Sequence, residues 1–398
     1  MTGKRIPLIW PHDPTLHAPA KYRRACSYEA YVPDNLIGQD LSLDSKVAGS
    51  VSEAENAIRD LNTDAKPTLA PLARLLLRTE SIASSKIEGM QIGVRDLARA
   101  EARAETGARV GTTAREVLAN IDAMQAAVED AAKIEHFSVD QIRATHERLM
   151  LASPTPRVAG KIRTQQNWIG GNDYNPCGAD YVPPPPEYVS DLLSDLCDAI
   201  NNDELSPLVQ AALIHAQFES IHPFADGNGR TGRALIQVVL RRRGLAPAYV
   251  PPISVVLAKS RDGYIAGLTN FRNGQSNEWI EQFAEAAARA AYLAKAYLRS
   301  VAKLTTHWRE QLAATTAPRA DAAAWAVIEA LPAYPTITAP AATAATRRAK
   351  AAIYQAIGEL VSAGILLPLS TAKRNQSWEA AGLLELLTSL EAGEEPEP

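Results

Sequence analysis

Residues 220–233 read SIHPFADGNGRTGR and bring a base, a hard oxygen ligand and two phosphate clamps into one turn and the helix that follows it. His222 has a side chain that titrates near neutrality and can take a proton from an attacking hydroxyl. Asp226 is suited to the magnesium ion that accompanies a nucleoside triphosphate. Gly227, Gly229 and Gly232 leave backbone amides open to an anion, and the next helix adds its N-terminal donors and positive dipole end. Arg230 and Arg233 are three apart, hence on one helical face, and each offers a guanidinium fork matched to phosphate oxygens. The glycines fit GxGxxG by spacing, yet no strand precedes them and no acidic residue lies about twenty positions on. A Walker loop is excluded because no Gly-Lys-Ser/Thr follows. Two other readings use the same residues: a purely structural glycine turn, and a zinc site from His215, Glu219 and His222, which lacks an HExxH frame.

These side chains need rigid elements behind them. Thr113 with Glu116 has capping-box spacing and predicts a helix over 113–134, with Val117, Ile121, Met124 and Val128 on one face. Ser52 with Glu55 predicts a helix start before Leu61, and Ser138 with Gln141 a helix through Ile142 and Leu149. Ser206 followed by Pro207 opens a helix that carries the apolar pattern to Phe218. Most of 50–300 reads helical. Residues 160–186, with their glycines, Asn172-Asp173 and the run Pro183, Pro184, Pro185, Pro186, read as a loop or short hairpin. Residues 312–323 read as a junction. Beyond it come a helix with Trp325, Val327, Ile328 and Leu331, a break at 334–336, a second helical stretch, and a long helix over 346–362 stopped by Gly364. Residues 365–369 and 376–381 then flank a turn with Lys373 and Arg374. The acidic, proline-bearing end 391–398 is expected to be disordered.

Composition narrows the class. With 46% hydrophobic and 22% charged residues in 398, the chain is expected to be a multidomain globular protein rather than a disordered or membrane one. A net charge of -4 offers no global attraction for nucleic acid, so any polyanion site must be local. Cys26, Cys177 and Cys197 are too few and too scattered for a disulfide framework, and no CxxC suggests zinc; a reducing cytoplasm is expected. The first eleven residues look like neither a signal peptide nor a membrane span.

The run His222-Pro-Phe-Ala-Asp226-Gly-Asn228-Gly-Arg230-Thr-Gly-Arg233 resembles the Fic motif HxFx(D/E)GNGRxxR at every specified position. That resemblance implies a helical core with a short β-hairpin flap and transfer of AMP from ATP, with Mg2+, to a Ser, Thr or Tyr hydroxyl of a target protein. It implies that His222 is the general base and Asp226 the metal ligand. Asn228, also catalytic, would form the nucleotide cradle with Gly227, Gly229, Thr231 and Gly232, and Arg230 and Arg233 would hold the outer phosphates. Gly229 resembles the AMP-transferring branch rather than the kinase-like one. Ser84-Ser85-Lys86-Ile87-Glu88-Gly89 resembles the inhibitory signature (S/T)xxxE(G/N), with Ser84, Glu88 and Gly89 at its specified positions; Glu88 would pair with Arg233 and displace the γ-phosphate. An ordinary helix end with Gly89 as its cap explains the same residues. Gln166, Asn167, Trp168 and Ile169 resemble the flap, whose edge can pair with an extended peptide. Tyr264 resembles one of a tyrosine pair near the adenine, with Gly263 in place of the other.

The resulting expectation is a mainly α chain with an N-terminal helical region at 1–110 and a Fic catalytic domain at 111–305. A winged-helix-like α+β domain at 320–390 would place Arg347, Arg348 and Lys350 on its recognition helix. Its partners would be ATP, a hydroxyl-bearing protein, and DNA or a protein through the C-terminal domain, with a homodimer open and no membrane contact. A DNA-binding regulator with a nucleotide-sensing pocket, removal of AMP, and transfer of another nucleotide are the alternatives.

Overall fold

Apolar residues at intervals of three and four do produce helices over most of the chain, and extended segments are confined to both ends and the proline-rich loop. A computed structural model describes residues 3–63, 70–105, 107, 109–369 and 376–396. In chain order the strands β1 (Gly3–Trp10) and β2 (Cys26–Pro33) precede α1 (Ser45–Thr63), α2 (Ala70–Ile87), α3 (Val94–Glu105), α4 (Thr112–Ala131) and α5 (Val139–Met150). Next come α6 (Pro186–Asn201), α7 (Pro207–Ile221), α8 (Asn228–Arg242), α9 (Ile253–Lys259), α10 (Arg261–Arg272) and α11 (Ser276–Thr315). The chain ends with α12 (Ala323–Ala330), β3 (Thr336–Thr338), α13 (Ala339–Thr346), α14 (Lys350–Ser362), β4 (Leu366–Pro368), β5 (Ser377–Ala380) and α15 (Leu383–Glu391).

Two units share this chain. One is drawn from Met1–Glu55, Ala126–Leu245 and Ser260–Glu285, the other from Asn56–Gln125, Ala246–Lys259 and Ala286–Pro398. The first is organised around α7, which is buried on all sides from Leu208 to Ile221 and packs on α6 and α8. A helix so enclosed carries no polar stripe, and its ends must be satisfied by other groups. At its start Ser206 is the N-cap and Pro207 removes one orphan donor, while the buried Glu55 carboxylate accepts the Leu208 N–H at 3.1 Å. Glu55 therefore does not open its own helix with Ser52, as their spacing suggested: α1 already begins at Ser45, and the carboxylate caps a neighbour instead. Ser138 does cap α5, with its N–H donating to Gln141 Oε1 at 2.8 Å.

β1 and β2 form an antiparallel pair, Gly3 opposite Pro33 and Trp10 opposite Cys26, which the helical reading of the chain did not anticipate. Two of the three cysteines, read as too few and too scattered for a disulfide framework, do pair. Cys26 at the head of β2 is bonded to Cys177 across 151 residues, with Cα atoms 6.3 Å apart. Sequence spacing cannot reveal a pairing made by tertiary convergence, and the cysteine argument for a reducing compartment falls with it. Cys197 remains a buried thiol.

In the second unit Ile82, Leu97, Val117 and Ile121 join α2, α3 and α4 in one apolar cluster. The buried Glu80 carboxylate on α2 receives the Ser254 N–H at 2.8 Å and its hydroxyl at 2.6 Å, fixing the first turn of α9. The end of the chain folds as α12–β3–α13–α14–β4–β5, with an antiparallel sheet ordered β3-β5-β4. Three boundaries differ from expectation. α11 continues to Thr315, with Leu312 buried, so the junction starts later. Arg347 adopts φ 55° and ends α13, and α14 begins only at Lys350, so Arg347 and Arg348 lie in the turn and not on the helix. Glu391 closes α15, and Gly393 and Pro396 are buried, so this stretch of the acidic end is packed rather than disordered. Lys373 and Arg374 lie outside the described residues. α15 packs on α2 and α3, and Arg95 on α3 pairs with Glu385 and, at 3.2 Å, with Glu379.

Candidate nucleotide site

The site grows from the turn between α7 and α8. α7 cannot continue past Ile221 because His222 takes a left-handed conformation, φ 49° and ψ 59°, while its N–H still donates to Phe218 O at 2.9 Å. A non-glycine residue held there costs about 1–2 kcal/mol, so the surroundings must hold it. They do so through the root of the proline-rich loop. Arg163 is buried, and its guanidinium donates to the carbonyls of His222 (2.9 Å), Pro184 (2.5 Å), Gln165 (3.2 Å) and Ile221 (3.4 Å). Its backbone N–H meets Pro223 O at 2.9 Å, and Ile162 bridges Phe224. Burial draws the guanidinium down to about 10, which leaves it charged and facing the negative end of α7. Asn167 adds bonds to Phe224 O (2.9 Å) and His222 O (3.3 Å).

The other half of the turn is closed from α8. Asn228, 2% exposed, accepts the Phe224 N–H at 2.9 Å and donates to Phe224 O at 2.8 Å, so its amide brackets the loop. The Thr231 hydroxyl bonds Gly227 O at 2.9 Å. His146 on α5 stacks flat on Phe224, centroids 3.6 Å apart. Its Nδ1 accepts the Gly160 N–H at 3.0 Å, so the proton is on Nε2, which donates to Asp226 O at 2.9 Å. Burial holds this imidazole neutral, down to about 4.

Asp226 is exposed, with Oδ1 receiving the Gly227 N–H at 2.6 Å. Gly227 is the N-cap of α8 at φ 76°, a region a side chain enters at a cost. A Cβ there would stand 2.8 Å from Met150 Sδ and 3.3 Å from His146 Nε2. Gly227→Ala is expected to lose about 2 kcal/mol or more of stability and to weaken triphosphate binding. Thermal melting and nucleotide titration check this; a variant that melts and binds like the parent contradicts the described turn. Arg230 and Arg233 are 3% and 1% exposed, so their guanidiniums sit within the protein body rather than waving in solvent. Gly229 opens the first turn of α8 half-buried. Gly232 packs against α7, where a Cβ would stand 2.9 Å from Phe218 Cδ1 and collide with Glu219 Oε1.

The remaining expected site residues are placed as follows. Tyr264 is buried, its hydroxyl 2.9 Å from His215 Nε2 and its ring beside Trp279. Gln166 donates to Pro183 O (2.9 Å), Trp168 Nε1 to Asn172 O (2.6 Å), and Ile169, 40% exposed, bridges Tyr181. This segment is therefore two short extended arms held by single bridges. Ser84 is buried near the end of α2, Glu88 is exposed just past it, and Gly89 at φ 82° makes the left-handed cap. Among the described residues no group of three His, Cys, Asp or Glu is placed to hold a metal, and of the three residues in the zinc reading His215 meets the Tyr264 hydroxyl instead. His146 and Arg163 escaped sequence reasoning as site residues, since a lone histidine or arginine outside the glycine motif gives no signal of which turn it will touch, and Glu219 entered only in the zinc reading.

Fold and site together define a mainly helical protein built on a buried hairpin, α7–α8, whose glycine turn opens the second helix behind a fixed histidine. Residues 136–240 match the Fic/DOC family and residues 49–129 the Fic/DOC family N-terminal region. Among relatives, the protein adenylyltransferase fic-1 of Caenorhabditis briggsae is 36% identical over 118 residues, 29% of this chain and 21% of that protein. A probable protein adenylyltransferase of Aquifex aeolicus is 30% identical over 202 residues, 50% of this chain and 56% of that one. The chain thus spans between about a fifth and somewhat over half of these relatives. The Fic family protein of Desulfovibrio desulfuricans shares the fold at a TM-score of 0.52 and 22% identity, over 86% of this chain and 98% of that one. A segment of Fic-1 from C. elegans shares it at 0.50 and 22%, over 64% and 73%.

Proposed function

We propose that this chain is a protein adenylyltransferase that uses ATP and a protein hydroxyl as substrates. The observation that carries the reading is the α7–α8 turn. It fixes an imidazole, an exposed carboxylate, a glycine N-cap and two buried arginines around one helix N-terminus. His222 takes the proton of a Ser, Thr or Tyr hydroxyl as its oxygen attacks the α-phosphorus. The new O–P bond forms, the bond to the bridging oxygen breaks, and pyrophosphate leaves with the electron pair. Arg230, Arg233 and the helix N-terminus hold charge that builds on the phosphates, and positioning supplies most of the acceleration. Asn228 and Thr231 shape the loop rather than react. Tyr264, through its bond to His215, would wall the nucleotide's base.

The donor set suits magnesium: a single exposed carboxylate, Asp226, leaves most ligand positions to phosphates and water, as this ion prefers. The ion would neutralise phosphate charge there. Residues 166–169, beside the proline run, would pair with an extended target segment.

We infer autoinhibition from SSKIEG at the end of α2, where a carboxylate such as Glu88 would compete with the γ-phosphate for an arginine. Glu88→Gly is expected to raise AMP labelling about tenfold or more, the factor for ~1.4 kcal/mol of relieved competition. The readout is transfer of label from ATP marked on the α-phosphate, with γ-marked ATP as control. Equal labelling of parent and variant refutes autoinhibition, and label from the γ position refutes AMP transfer.

The three-part division at 1–110, 111–305 and 320–390 remains our proposal, with the last part a winged helix. Its packing on α2 and α3 supports a bracing role for the inhibitory helix, while α14 keeps only Lys350 of the three cations expected for DNA. No described helix is long and apolar enough to cross a membrane.

A further inference from the structure

We propose that Glu219 is the charge partner of His222, holding its imidazole by Nδ1 and stabilising the imidazolium formed when the ring takes the hydroxyl proton. The inference rests on the nucleotidyl-transfer reading of the site and adds a residue to it.

Glu219 stands in the last turn of α7, and His222, three residues on, is the left-handed residue that caps it. Glu219 Oε2 lies 3.9 Å from His222 Nδ1, with the two side chains 9% and 17% exposed. The backbone on which the ring hangs is immobilised by Arg163, Asn167 and the Phe218 carbonyl, so the ring's orientation depends on what its nitrogens meet. The carboxylate is itself confined. Gly232 of α8 comes so close to Glu219 Oε1 that any side chain there would displace it. Position 232 is one that the HxFx(D/E)GNGRxxR pattern leaves open, and in this chain it makes room for an acid between α7 and α8.

Chemistry follows from that placement. A carboxylate beside Nδ1 favours the tautomer with the proton on Nδ1, which leaves the Nε2 lone pair for the hydroxyl. Once Nε2 is protonated, a negative charge about 4 Å away, in a site mostly closed to water, favours the cation. The separation exceeds a hydrogen bond; such contacts are often long before substrate binds and shorten in the complex. Other charged or titratable groups on the surrounding elements include His215 on α7, Arg163 at the loop root, Tyr181 with its hydroxyl on Ser220 O, His146 on α5 with a bond to Asp226 O, Asp226 in the turn, and Arg230 and Arg233 on α8. Of these, His215 is buried, held neutral down to about 3, and bonded to Tyr264. The guanidinium of Arg163 is occupied with carbonyls, His222 O among them.

The test is the isosteric Glu219→Gln, with Glu219→Asp as the conservative variant. In E219Q, kcat for AMP transfer should fall about tenfold to a hundredfold with KM for ATP nearly unchanged, and E219D should recover part of the loss. Histidine-selective 15N NMR, assigned by the signal missing from a His222 variant, should show Nδ1–H in the parent and a His222 titration displaced to lower pH in E219Q. A merely structural glutamate would lower the melting temperature and leave that titration in place. Parent-like kcat and titration in E219Q overturn the proposal, as does an Nε2–H tautomer in the parent, which is readable even if E219Q does not fold. Should the parent transfer no AMP while the titration still moves in E219Q, the pair stands and the nucleotidyl-transfer reading fails.

Discussion

Replacing His222 by alanine is expected to lower AMP transfer by about 100-fold or more, the lower range for loss of a general base. The residue sits in a conformation that costs energy, and Arg163, Asn167 and Phe218 are all engaged in keeping it there. Strain of this kind, held by three partners beside a glycine turn, points to a use for the side chain. Because the anion cradle is built from other residues, triphosphate affinity should change little in His222→Ala, and kcat should carry the loss. Initial rates over a range of ATP, beside equilibrium nucleotide binding, separate the two. Near-normal kcat removes His222 from the chemistry, while lost binding with intact kcat would make it a nucleotide ligand.

A second large effect concerns acid. His146 and His215 are held neutral by burial, down to about 4 and about 3, against an ordinary 6.5. Between pH 6.5 and those values the unfolded chain binds protons that the native chain does not, so each histidine removes stability as pH falls through that window and adds no further loss below it. At pH 5 the loss is about 2 kcal/mol for each. Glu391 acts in the opposite sense: burial raises it to about 7, the native state keeps its proton, and its contribution grows as pH falls from 7 towards 4.5. The clean measurement is therefore a difference. Urea unfolding at pH 7 and pH 5 should show a drop about 2 kcal/mol smaller in His215→Gln than in the parent. Identical drops would mean that His215 is protonated in the folded protein or exposed to water.

How far the sequence spoke can be judged from particular residues. The turn 222–233 was legible because its chemistry is local: base, carboxylate, glycines and arginines are read off adjacent positions, and caps such as Ser138 and Ser206 act within one helical turn. Several misreadings involve partners remote in sequence. Glu55 has capping-box spacing to Ser52, yet its carboxylate serves Leu208. Cys26 and Cys177 are 151 residues apart and meet only because β2 and the loop after 171 converge. Helix propensity carries 346–362 as one run, but Arg347 turns left-handed and splits it. The two arms around Ile169 read as a hairpin, and each is held by too few bonds for its own sequence to specify. His146 and Arg163 carried no signal either, since each acts on backbone atoms of another element.

The central claim is that the turn after His222 grips a triphosphate with the imidazole beside the innermost phosphorus. Diffraction from crystals of the Glu88→Gly chain grown with a non-hydrolysable ATP analogue and magnesium tests it most directly. The account predicts the α-phosphorus next to His222, the outer phosphates on Arg230 and Arg233, and the metal on Asp226. A nucleotide bound in the reverse sense, or seated away from Gly227 and Gly229, would contradict it.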